Sequence, residues 1–111
     1  MNKEIDLNIG LAIGQQNNAI STTRVNHELQ LLGLVQGKNR IAQSGTETTY
    51  VVRCQDLGGA PIAERVHKLA ARLQQDCIAA VPRCGAPPFL VGPDAHKWGG
   101  CWLAQHWLSV D

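Results

Sequence analysis

The chain has 111 residues, 44% hydrophobic and 17% charged, and its ten basic residues against nine acidic ones leave a net charge of +1. A length in this range predicts a single domain over 1–111 that buries about 65% of its unfolded surface without metal or disulfide support. The near-neutral charge leaves no long-range field for a nucleic-acid backbone or an anionic membrane, and the modest charged fraction fits a domain with a buried oligomer contact.

The first segment, MNKEIDLNIG, carries Glu4 and Asp6 inside its apolar alternation instead of the unbroken apolar run of a signal peptide. No later segment approaches the roughly 18 apolar residues of a membrane span, so the expected location is the cytoplasm, with the cysteines reduced. From Ile5 the apolar residues take every odd position, Ile5, Leu7, Ile9, Leu11 and Ile13, which predicts a strand with one buried face. The small residues Gly10, Ala12 and Gly14 on the even side leave room for something to lie against the other face.

Ser21 or Thr22 can cap a helix in which Val25, Leu29 and Leu32 recur at helical spacing, and Gly33 is a left-handed terminator. KNRIAQSG then reads as a weak strand and TETTYVVRCQ as a strong one, joined through Ser44-Gly45. Pro61 suits a first helical position, and Ile62, Val66, Leu69 and Leu73 continue a second helix whose outer face carries Glu64, Arg65, Lys68 and Arg72. CIAAV is a short buried strand ended by Pro82, PRCGAPP a loop and FLVGP a last short strand. This order predicts a ferredoxin-like β-α-β-β-α-β antiparallel sheet with both helices on one face, plus a C-terminal extension.

HKWGGCWLAQHW, residues 96–107, contains all three tryptophans and the zinc-compatible side chains His96, Cys101 and His106. Their five-residue spacing resists a metal site. In a strand they lie about 17 Å apart on opposite faces, and in a helix five positions rotate a side chain by about 140°. Trp98 precedes a sharp Gly-Gly turn, and residues 101–111 fit either a strand, with Trp102, Leu108 and Val110 on one face, or a helical row of Leu103, Trp107 and Val110. In either form both sides are partly apolar. The segment is therefore either packed inside the domain or part of a subunit contact, where Trp is enriched.

The catalytic templates do not fit. Neither GxGxxG nor GxxxxGK[ST] occurs, Ser21, Ser44 and Ser109 lie in no nucleophile-elbow context, and Asp56 with Glu64 is not a recognisable acid/base pair. Cys54 and Cys77 fall in strand-like segments where cysteine behaves as a small hydrophobe, and Cys84, beside Arg83 in a loop, is the candidate for a reactive thiol. An RNA-binding sheet needs aromatic residues on its open face, and the strands offer only Tyr50 and Phe89. No metal, cofactor, nucleic acid or membrane is therefore expected.

DLNIGLAI, SGTETTYVV, QQDCIAAV and GPDAHKWG, spread over nearly the whole chain, resemble segments of small uncharacterised proteins of bacteriophages and other mobile elements. That resemblance implies no catalytic residue and no cofactor, and the ending GGCWLAQHW departs from it. The expected function is that of a cytoplasmic phage or mobile-element accessory protein that binds a protein partner or forms a homo-oligomer, with Trp98, Trp102 and Trp107 as its contact. The alternative is a small-molecule-binding domain or enzyme with a pocket at the sheet edge, near Glu47, Thr49 and Trp98.

Overall fold

The computed structural model describes residues 4–12, 20–44, 47–56, 61–97 and 107–111, and the side chains of these except Ala12, Ser44 and Asp56. In chain order the elements are β1 (Glu4–Ala12), α1 (Thr22–Leu31), β2 (Leu34–Ser44), β3 (Glu47–Asp56), α2 (Ile62–Arg72), β4 (Ile78–Pro82) and β5 (Phe89–Val91), followed by a 3-10 turn at Ala95–Lys97. The architecture is α+β. Five antiparallel strands form one open sheet in the order β2-β3-β1-β4-β5.

The odd positions of β1 determine where the core lies. Ile5, Leu7, Ile9 and Leu11 are buried, and the residues opposite them on β3 and β4, including Tyr50, Val52, Cys54 and Ala80, join the same apolar cluster. Val25 and Leu29 of α1 and Val66, Leu69, Ala70 and Leu73 at α2 complete it, so both helices close over the odd face of β1. Apolar side chains at helical and at alternating spacing thus meet in one layer, and burial of that layer is the main stabilising term. Tyr50 carries its hydroxyl into this layer and donates to Asn26 Oδ1 at 2.8 Å, which satisfies a group whose burial would otherwise be costly.

The helix ends follow local chemistry. Ser21 Oγ accepts from the Arg24 amide at 3.2 Å and starts α1. Gly33, at φ 73°, stops it. Pro61 occupies the cap position of α2, one residue before the helix proper, and its missing N–H removes a donor that would have no partner there. Past α2 the chain turns through Gln74 at φ 56°, with the Gln75 amide bonded to the Ala70 carbonyl at 2.8 Å. That is the Schellman arrangement with glutamine where glycine is usual.

Two expectations need correction. β2 begins at Leu34, directly after Gly33 and not at Lys38; the pairing with β3 shifts between Gln36 and Asn39, and this break in the alternation hides the first residues of the strand from a reading of periodicity. Arg65 is not on a solvated face: it is buried, with its guanidinium beside Gly33. Arg72 is engaged as well, in an ion pair with Glu28, while Lys68 reaches Glu64 at 3.9 Å.

Candidate functional site

The even positions of β1 present a second buried face, and it is polar. Asp6 and Asn8 are 1% and 7% exposed, so each requires hydrogen-bond partners to offset the loss of water. Residues 107–111 supply them. Leu108 donates its N–H to Asn8 Oδ1 at 2.7 Å and accepts from Asn8 Nδ2 at 2.9 Å, so one side-chain amide pairs with one backbone residue as a neighbouring strand would. The Val110 amide and the Ser109 hydroxyl both donate to Asp6 Oδ2, at 3.1 and 3.2 Å. Val110 itself is buried, and so are Val51, Ala79 and Val81, which lie beside Asn8 and Asp6 in register.

Around these bonds stands a ring of cations. Arg53, opposite Asp6 on β3, donates Nε to Asp6 Oδ1 at 2.8 Å and Nη2 to Asp6 Oδ2 at 3.2 Å. Asp111 receives Arg53 Nη2 at 2.9 Å, Lys38 Nζ at 3.0 Å and Arg83 Nη1 at 3.1 Å. Arg40 reaches the Ser109 carbonyl with both Nε and Nη2, at 3.0 and 2.7 Å. Strands β2, β3 and β4 with the turn after it thus each contribute one or more cations to a single extended segment. Charge-assisted bonds of this kind are short and strong.

The electrostatics follow the geometry. Burial works to raise the Asp6 pKa, but the bonds from Arg53, Val110 and Ser109 outweigh it and hold the carboxyl below its ordinary value. Arg53 and Lys38 hold Asp111 well below the carboxylate range. The Arg53 guanidinium is correspondingly stabilised in its charged form, chiefly by Asp6. Cys54, on the helix side of β3, has its thiol pushed up to about 12 by burial, with a further contribution from the Asp6 charge. Such a thiol is inert as a nucleophile near neutral pH.

The second notable surface is the free edge of β2. Among the described residues this strand of 11 pairs only with β3, and Val35 and Ile41 are exposed along it at 48% and 55%. Leu31, at the end of α1 just before it, is exposed at 59%. The opposite edge, β5, has three residues. A long edge with exposed apolar side chains favours pairing with another chain, while Lys38, Arg40 and the shift in pairing between Gln36 and Asn39 oppose it. A depression of about 560 Å³ lies between α1 and the start of β2, lined by residues that include Asn26, His27, Gln30 and Gln36.

Of the residues singled out from sequence, Trp98 and Trp102 lie outside the described residues, as do Cys101 and His106. Trp107 is 40% exposed at the head of the segment on the polar face, and residues 107–111 are neither strand nor helix. Glu47 is exposed at the start of β3; Thr49 is half-buried on the polar face, between Gly10 and Ala42. The sheet-edge pocket expected near Glu47, Thr49 and Trp98 lies in part outside the described residues, because Trp98 does. His96 is exposed in the 3-10 turn, and no group of three metal-ligating side chains occurs among the described residues. Cys84 is exposed in the turn after β4, where the Arg83 guanidinium is engaged by Asp111.

Sequence reasoning missed Asp6, Asn8, Arg53 and Arg83 as a group, together with Val35 and Ile41. The signal for the first two was present, because polar residues interrupt the even side of a strand whose odd side is entirely apolar. No helix among the described residues is long and apolar enough to cross a membrane. No family model, curated protein or solved structure matches the chain.

Proposed function

We propose that this protein acts by contact with other protein chains, first of all with a second copy of itself. The observation that carries this reading is the outer edge of β2, an 11-residue strand that among the described residues pairs only with β3 and near which Leu31, Val35 and Ile41 are exposed. Addition of a strand from a second chain satisfies the open backbone groups and covers these side chains together. Trp98, Trp102 and Trp107 remain the second contact in this reading. The order β2-β3-β1-β4, with two helices sharing one core, supports a ferredoxin-like arrangement to which β5 is an added edge strand. In keeping with the resemblance in its sequence, the protein would serve a phage or another mobile element as a cytoplasmic accessory protein.

Light scattering at increasing concentration tests the contact. The expected result is a species of twice the 12.0 kDa chain mass, which Val35→Lys and Ile41→Lys, both at exposed positions, weaken about tenfold or more in dissociation constant. A monomer at every concentration, or a dimer indifferent to both substitutions, overturns the β2 reading. It would favour the second one, a small-molecule-binding domain or enzyme using the depression between α1 and β2, which thermal-shift screening against metabolites and metals then addresses.

A further inference from the structure

The grip on residues 107–111 differs from the packing elsewhere in the molecule. The segment makes no ladder with any strand, yet its backbone is read residue by residue by side chains: Leu108 by Asn8, Ser109 by Arg40, and Val110 by Asp6. Asp6 and Asn8, the two that contact it from below, are both more than nine-tenths buried. One acidic side chain, Asp111, is met by three cations from three different places in the fold, all between 2.9 and 3.1 Å. Only Val110 is buried as an apolar anchor, and Trp107 at the head of the segment stays 40% exposed. Polar side chains that read backbone groups, one apolar pocket and a basic clamp for a carboxylate are the components of a peptide-binding site.

We propose that the polar face of the sheet, built from Asp6, Asn8, Arg40, Arg53, Arg83 and Lys38, is a docking site for an extended acidic peptide of a partner protein. Residues 107–111 occupy it as an internal ligand. The charge pattern specifies the partner: an extended segment with a branched apolar residue for the Val110 position followed by a carboxylate for the Asp111 position. Such a peptide competes with a segment tethered to the same chain, whose effective concentration is of the order of mM, so the site opens to partners only as the internal segment yields. The clamp on Asp111 is half exposed and is therefore screened by salt. This site shares β2 with the proposed self-contact through Lys38 and Arg40, but it uses their side chains on the polar face and not the backbone groups of the outer edge.

The test uses the full chain carrying Asp111→Lys, a charge reversal at an exposed position that turns the clamp against its own segment. An acetylated and amidated peptide with the sequence of residues 107–111 is titrated by NMR into this variant and into the unmodified chain. The expected result is half-saturation of the shifts at Asn8, Arg53 and Arg83 at a peptide concentration at least tenfold lower in the variant. The same peptide with lysine in place of its aspartate should be at least tenfold weaker. A folded variant that shows no shifts at these residues, or equal shifts with both peptides, overturns the proposal. If Asp111→Lys does not fold, Ser109→Ala, which removes only the hydroxyl bond to Asp6, replaces it under the same criteria. A dimer formed by exchange of the segment between copies, detected by light scattering of the unmodified chain and lost in Asp111→Lys, would also overturn the partner-peptide assignment.

Discussion

Asn8 shows how one side chain can substitute for a strand. Its amide offers one donor and one acceptor in the spacing of a backbone peptide unit, and Leu108 uses both. Asn8→Ala removes the two bonds and leaves the Leu108 N–H and carbonyl against a buried face, at a cost of about 2 kcal/mol. A lowered urea midpoint, together with faster hydrogen exchange at Leu108 and Val110 but not in β1 and β3, is the expected outcome. Exchange unchanged at Leu108 would show that the apolar contact of Val110 holds the segment without Asn8. Asn8 was legible as a polar residue on an amphipathic strand; its partner, 100 residues further on, was not. Sequence periodicity identifies which face a side chain takes but carries no information on what lies against it.

At the level of elements, the helix boundaries were the most legible features because their signals are local. The Ser21 cap, the Gly33 terminator and the Pro61 start act within a few residues of themselves, and all three mark the ends they were expected to mark to within one position. The start of β2 was not, since the shift in pairing between Gln36 and Asn39 breaks the alternation by which a strand is recognised. The end of α2 departs from the usual chemistry, with Gln74 in the left-handed region. Gln74→Gly at this exposed position is expected to raise stability by about 0.5–1 kcal/mol, because glycine takes that conformation without the Cβ penalty. Gly33→Ala imposes the converse penalty at the end of α1. Thermal unfolding of the pair checks the sign: a Gln74→Gly protein that melts below the parent would show that the glutamine side chain contributes more than its strain removes.

For the molecule as a whole, the sheet is buried on two faces by different means. The helices cover one with apolar contacts, and residues 107–111 cover part of the other with ion pairs and a single valine. The second is sensitive to pH, and on the helix side Glu28, held below its ordinary value by Arg72, adds to the same dependence. Asp6 and Asp111 have folded-state pKa values below their unfolded ones, so their contribution is complete above the ordinary carboxylate range and is lost as pH falls through the folded values. Stability is therefore expected to be flat from pH 7 to about 5 and to decline below about pH 4. Asp6→Asn should be less stable by about 3 kcal/mol at pH 7, since Arg53 loses its buried partner, and should converge with the parent under acid. Urea unfolding across this range decides it; parallel curves would mean that Asp6 contributes nothing that titrates.

The succession of elements among the described residues, the apolar face of β1 and the two helix caps were legible in residue type and spacing alone. Each of these depends on neighbours within one or two turns of helix or a few residues of strand, where residue type and spacing are sufficient. Long-range packing, by contrast, buries Arg65, leaves β2 at the edge of the sheet among the described residues and lays residues 107–111 across Asp6, Asn8 and Arg53. The partners in that last arrangement are between 58 and 104 residues apart in the chain. Loop closure over such distances is specified by the sum of core packing rather than by a local pattern, which is why the charges could be counted in the sequence but not paired.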